Sequence, residues 1–281
     1  MNIRAIDLTL VLLTCLVWAA NYFVIKAVLP YVDPFTFALL RAVLGGVFVF
    51  ATGGYVLKGI KRGDLLWLSL LGLFNISIFL VFLNLSLETA NPGVASTLVY
   101  TQPVVVAALA PLVGEGLTRN RYLGIGAAFG GVVVIFLPSI LSSSLVVGDL
   151  YALIASVSWA FAIILFKRWK TRIGAAPITA FQSVIGGVFI LPTLSLAHPF
   201  INPAPLFWVY LGYNVILSSG LATVAFWRVL SRMPAAQFTS YFFLVPTFAV
   251  IMGSVLQLSA PPLNEVAGTA LVAIGIIAVN R

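Results

Sequence analysis

Polar side chains that could hold a small molecule fall, in this chain, on the same helical faces as aromatic ones. Taking each apolar run at about 100° per residue, Thr14, Trp18, Asn21, Tyr22 and Ile25 share one face of the first. On the third run Asn75, Phe79, Phe82 and Ser86 align, and on the fourth Thr97, Tyr100, Thr101 and Ala108. The sixth aligns Ala155, Trp159 and Ile163, the eighth Tyr210, Asn214 and Ser218, and the ninth Ser240, Phe243, Leu244 and Thr247. Rings offer apolar area and stacking, while amides and hydroxyls bond the polar end of a solute. The chemistry these residues suit is non-covalent recognition of an amphipathic molecule. A single Ser or Thr can equally be explained as a hydrogen bond between helices. That explanation fits Asn21, Asn75 and Asn214 less well, because each amide has four hydrogen-bonding sites to fill. Trp18 and Trp159 lie about three turns inside their runs, which suits a cavity wall better than an interfacial belt.

Covalent chemistry has little to work with. His198 is the only histidine and Cys15 the only cysteine, so a histidine triad, a His-pair zinc site and an internal disulfide all lack partners. No paired carboxylates and no nucleophile beside a base stand out. Rings of charge that would line a channel are also missing. An enzyme is therefore not expected, nor a cofactor or metal.

The elements that must position the stripes follow from composition. Of 281 residues, 62% are hydrophobic and only 8% charged, against about 25% charged in a soluble domain. The bilayer must be the solvent. The net charge of +8 does not argue for nucleic acid, because the basic residues sit in short loops between apolar runs. A span needs about 20 apolar residues. The candidates are Asp7 to Leu29, Pro34 to Leu57, Asp64 to Leu87, Pro92 to Val113, Tyr122 to Leu137, Asp149 to Arg168, Ala175 to Ala197, Pro205 to Leu230, Ala235 to Leu256 and Pro262 to Val279. Asp7, Asp64 and Asp149 stand where helices begin, which suits capping and the helix dipole. The first run is too long for a signal-peptide core and is expected to remain as a helix.

Loop charge orients the chain. Lys58, Lys61 and Arg62, then Arg119 and Arg121, then Lys167, Arg168, Lys170 and Arg172, then Arg228 and Arg232 fall in the even loops. Arg4 and Arg281 mark the termini, and the odd loops carry no Lys or Arg. Both termini are therefore expected in the cytoplasm. A slide of 141 positions superposes Leu12 on Leu153, Trp18 on Trp159, Ala19 on Ala160, Lys26 on Lys167 and Gly45 to Phe48 on Gly186 to Phe189. Residues 1–140 and 141–281 thus read as two five-helix repeats. Five is odd, so the second repeat enters the membrane inverted, an architecture that supports alternating access around a midplane site.

Two proline-broken helices echo each other across the repeats. The stretch from Asn91 to Thr118 contains Pro103, and the stretch from Met233 to Leu256 contains Pro246. Matched interruptions of this kind point to a binding site in transporters, so Pro103 and Pro246 are expected hinges. Lys26 and Arg41 in the outer parts of the first two helices, with Asp33 and Glu88, would form an outer gate of ion pairs. The alternative is snorkelling to the headgroups. Glu115 beside Arg119 and Arg121 reads as a cytoplasmic cap or gate contact. Gly124, Gly126, Gly130 and Gly131 in the fifth helix, with Gly268 and Gly275 in the tenth, suit close packing between repeats or a homodimer face.

This arrangement resembles the drug/metabolite transporter superfamily, EamA type. The resemblance rests on ten helices in two repeats and an early Trp in each half. Arg41 also matches Gln182, and helix four ends Gly114-Glu115-Gly116-Leu117-Thr118. The second repeat departs from that ending with Gln257-Leu258-Ser259-Ala260-Pro261. The aromatic lining is most similar to the YddG-type aromatic amino acid exporters. The resemblance implies an all-α multi-pass protein of a bacterial-type inner membrane, acting as an exporter or facilitator of small metabolites, aromatic amino acids foremost. Other solutes such as nucleobases, flavins or drugs are the alternative cargo. The related small multidrug transporters couple protons through a Glu in their first helix. This chain has no acid between Asp7 and Asp33, which favours gradient-driven facilitation. Implied partners are a small molecule and the lipid bilayer, with a monomer expected.

Overall fold

The computed structural model describes residues 4–53, 60–90, 92–142, 146–196, 198–256 and 262–280. They form ten helical runs: α1 (Ala5–Val28), α2 (Pro34–Thr52), α3 (Asp64–Thr89), α4 (Val94–Val113), α5 (Arg119–Ser142), α6 (Val147–Trp169), α7 (Ala175–Leu196), α8 (Pro205–Leu230), α9 (residues 235–256) and α10 (Leu263–Asn280). Nine of them, all but α9, are long and apolar enough to cross a bilayer, where the sequence led us to expect ten. The expected ends Leu57 and Ala197, Lys58 of the second loop, the turn residue Asn91, the run Gln257 to Pro261 and the terminal Arg281 lie outside the described residues.

Local signals fix the helix starts. Asp33 caps α2 by accepting from the backbone N–H of Phe35 and Thr36 at 3.1 and 3.0 Å, with Pro34 in the first turn where its missing N–H costs nothing. Asp64 accepts from the Lys61 N–H at 2.8 Å, and Asp149 from that of Val146 at 3.0 Å. Asp7 instead pairs with Arg232 at 2.8 Å, tying the start of α1 to the end of α8.

Two backbone irregularities recur about half a chain apart. A π-helical turn occupies Gly72–Ile78 in the middle of α3, and another Tyr213–Ala222 in α8. Their starts differ by 213 − 72 = 141 positions. Likewise α4 breaks at Tyr100 and Thr101, between Pro92–Val99 and Gln102–Leu109. In α9 a 3₁₀ turn at Tyr241–Phe243 separates Ala235–Ser240 from Leu244–Leu256. Pro103 and Pro246 follow these breaks and supply the cause: proline has no N–H for the carbonyl four residues back.

The loops sort to two ends of the bundle. At one end Val32 pairs with Ile201 in an antiparallel bridge, the Phe200 N–H donates to Asp33 Oδ2 at 3.2 Å, and Lys26 Nζ reaches the carbonyls of Leu87 and Glu88. At the other, Glu115 Oε1 meets Lys167 Nζ at 3.1 Å, its Oε2 accepts from the Ala235 N–H, and Lys167 also donates to the Met233 carbonyl. The basic-loop residues Lys167 and Arg232 lie at this second end.

The two halves meet on several fronts. α2 packs on α7, the π turn of α3 on α7, and α5 along α10. The last contact is a backbone-to-backbone approach. A methyl group on Gly131 would stand 2.6 Å from the Gly268 carbonyl oxygen, and one on Gly268 2.6 Å from that of Gly131. Gly124 and Gly131, seven apart and so on one face, make this seam. Gly126 takes no part in it and looks into open space, because it is turned about 200° from Gly124.

Candidate functional site

A narrow cavity opens where α1, α2, α3, α4, α6, α7 and α8 converge, lined by residues of all seven and so of both halves. Its volume is about 50 Å³. Of the residues the sequence singled out, Trp18, Asn21, Tyr22, Asn75, Phe79, Tyr100 and Trp159 line it together. Their rings form one continuous assembly. Trp18 and Trp159 meet edge-on at 5.3 Å between centroids, Phe79 lies 5.2 Å from Trp159, and Tyr100 sits 6.0 Å from Trp159 and 6.2 Å from Tyr22.

Arg41 also lines the cavity, although its position along α2 suggested an outer gate with Glu88. Its guanidinium is buried and reaches the hydroxyls of Ser219 and Ser218, both at 3.3 Å. Glu88 is exposed at the end of α3 and accepts from Lys26 through its backbone carbonyl. Among the described residues no carboxylate lies within ion-pair distance of Arg41; the ion pairs there are Lys167–Glu115 and Arg232–Asp7, both at the basic-loop end.

The other sequence candidates stand outside the lining. Phe82 packs against Tyr151 at 5.5 Å, Phe243 against Phe129 at 6.4 Å, and Ile163 is fully buried in the core. Thr101 donates to the Leu98 carbonyl at 2.8 Å and shares a 2.7 Å hydroxyl bond with Ser156. Ser240 donates to the Gln237 carbonyl at 2.8 Å, and Asn214 Nδ2 to that of Tyr210 at 3.1 Å. Thr97 is buried, as are Pro103 and Pro246 at the breaks in α4 and α9.

The lining also contains Ser218, from the predicted stripe of α8, and Ile76, Leu80, Leu83, Ser183, Ser219, Thr223 and Phe226, which periodicity did not select. On α3 and α8 the reason is the π turns. Each inserts wider turns into a helix, so residues beyond them rotate off the 3.6-residue stripe. On α8 the face continues through Ser219, Thr223 and Phe226. On α3 it takes Leu80 and Leu83, and Phe82 is turned out toward Tyr151. Phe226 proves central, with rings of Trp18, Trp159 and Phe242 at 5.5, 5.7 and 5.5 Å.

The described residues hold no cluster of His, Cys, Asp or Glu that could bind a metal. What the cavity can do is surround a small solute with rings and offer it a few hydroxyls, amides and one cation.

Among the described residues nine helices are apolar and of membrane length, and seven of them line the cavity, which defines a multi-pass membrane protein. Residues 6–137 and 146–281 match the EamA-like transporter family, and the chain belongs to that family, within the drug/metabolite transporter superfamily. It is similar to the uncharacterized transporter YvbV of Bacillus subtilis, 27% identical over 94% of this chain and 88% of the relative. An uncharacterized transporter of Archaeoglobus fulgidus is 29% identical over 86% of each chain. The uncharacterized inner membrane transporter YedA of Escherichia coli is 25% identical over 85% of this chain and 79% of its own length. A solved crystal structure at 19% identity shares the fold over 99% of both chains, with a TM-score of 0.82. The protein is a membrane transporter.

Proposed function

We propose that this transporter is a secondary exporter or facilitator of aromatic amino acids, akin to the YddG-type exporters. It works by alternating access between residues 1–140 and 141–281, acting as inverted repeats. Its ten spans place both termini in the cytoplasm of a bacterial-type inner membrane, and it acts as a monomer. The observation that carries this reading is the meeting of Trp18 and Trp159, at repeat-equivalent positions, inside one aromatic-walled cavity. Recurrence of the π turns and of the broken helices at repeat-equivalent positions supports the duplication. The family match in two stretches, one per half, does so too.

The cavity is far smaller than the roughly 300–1,000 Å³ of pockets that hold a drug-sized ligand. A whole amino acid therefore enters only when the walls part, and the helix breaks beside Pro103 and Pro246 lie where α4 and α9 can bend. Glu115–Lys167 and Arg232–Asp7 hold the cytoplasmic end, and the bonds of Lys26 to the end of α3 and of Asp33 to Phe200 hold the other. No Asp or Glu lines the cavity, so transport runs down the solute gradient with no proton relay.

The test is uptake into liposomes containing the purified protein, run across the amino acids with and without an imposed pH gradient. Phenylalanine and tryptophan should enter fastest, at rates unchanged by the gradient. Flux that requires the pH gradient would end the facilitation reading, and indifference to side-chain aromaticity would end the substrate assignment.

A further inference from the structure

Arg41 is the only charged residue among those lining the cavity. It is 3% exposed. A guanidinium carries five N–H donors. Here Nε and Nη2 make long bonds, each to a neutral serine hydroxyl, and Nη1 has no partner among the described residues. The Phe37 ring, 5.9 Å from Cζ, adds a cation–π contact and no acceptor. A charge at membrane depth is costly and is normally paired. A buried cation with an open donor, facing a cavity and no carboxylate, is a socket for an anion.

A second unpartnered group lines the same cavity. Asn21 Oδ1 is buried and has no donor among the described residues. It is an acceptor waiting for an N–H. The rings of Trp18, Phe79, Tyr100, Trp159 and Phe226 complete the walls.

We infer that Arg41 binds the carboxylate of the transported solute and that Asn21 accepts from its amino group, which makes the cargo class α-amino acids carried as zwitterions. This rests on the reading of the cavity as the transport site and adds the chemistry of its polar pole. One guanidinium flanked by two hydroxyls matches a single negative charge. A phosphate dianion would need further cations, and the lining has none. Pairing with Arg41 also offsets the dehydration of the carboxylate during passage, since the guanidinium attracts its opposite charge.

The test uses the purified full chain in detergent and ligand-dependent melting, titrated with two acid and amide pairs: phenylalanine with phenylalaninamide, and leucine with leucinamide. Hydrogen bonds to a charged partner imply that each acid binds about 10- to 100-fold more tightly than its amide. Arg41→Gln should weaken the acids and remove their preference over the amides. Arg41→Lys, which keeps the charge and loses the fork, should retain part of the preference. Asn21→Leu should weaken phenylalanine more than 3-phenylpropionate, which lacks the amine. Equal affinity of acid and amide for the wild type overturns the proposal, and that measurement needs no variant. A preference that survives Arg41→Gln overturns it as well. If phenylalanine binds no better than leucine while both acids outbind their amides, the aromatic assignment falls and the role of Arg41 stands. If phenylalanine outbinds leucine with no acid preference, the reverse holds. Binding of none of the four ligands overturns both.

Discussion

Replacing Trp159 by Leu separates a ring that recognises cargo from a ring that only packs. The indole is 3% exposed and contacts five other rings, with centroids 5.2 to 6.0 Å away. Leucine keeps an apolar side chain in place but has no ring. Aromatic pairs contribute about 0.5–1.5 kcal/mol each beyond burial. Contacts that share one residue do not add, so the expected loss of folded stability is about 2–4 kcal/mol, near that of other large core truncations. The substrate effect is separate. A bound phenylalanine or tryptophan loses one aromatic partner, which corresponds to roughly 3- to 10-fold weaker transport. The assay is initial uptake into liposomes, divided by the amount of folded protein measured by size-exclusion fluorescence, for phenylalanine and for threonine. Phenylalanine transport should fall by that factor and threonine transport much less, with Trp159→Phe restoring most of the difference. Equal losses for both solutes would refute the reasoning, because a packing role has no means of telling them apart.

Two further predictions test the frame. In a Cys15→Ser background, His198→Cys should react with an impermeant thiol reagent added outside sealed cells and Asn120→Cys should not; labelling of position 120 from outside would reverse the assigned orientation. Gly268→Ala should lower the melting temperature of the purified protein, at a cost of about 1–3 kcal/mol for overpacking, because its methyl group meets the Gly131 carbonyl. Gly126→Ala, facing open space, should be neutral or raise it by the helix-propensity gain of up to about 1 kcal/mol, and a loss at both positions would contradict the seam.

Hydropathy alone located nine of the ten expected spans among the described residues, because each membrane helix must satisfy its own backbone within an apolar run. The breaks in α4 and α9 were equally legible, since proline cannot donate wherever it is placed. What periodicity could not follow was a change of period. Asn75 and Phe79 were placed on the right face, but beyond the π turn the face passes to Leu83, not Phe82. On α8, Ser218 lay on the predicted stripe, yet Thr223 and Phe226 fell off it for the same reason. In α9 the 3₁₀ turn advances each residue by about 120°, and Phe242 in place of Phe243 meets Trp18 at 5.3 Å. Arg41 was misplaced differently. Counting along one helix gives a depth, but the hydroxyls it meets belong to α8, far away in sequence.

The glycine seam between α5 and α10 bears on how the chain is made. Its two strips of bare backbone are separated by about half the polypeptide. When α5 leaves the ribosome and enters the bilayer, the helix it will rest against has not yet been synthesised. An apolar helix can wait in lipid without penalty, because acyl chains solvate it as well as another helix does. During biogenesis the seam thus closes only once α10 has been inserted. A ribosome that stalls short of α10 leaves a bundle whose fifth helix still faces lipid with its backbone groove unfilled. That groove is the structural difference between a chain without α10 and one that has it.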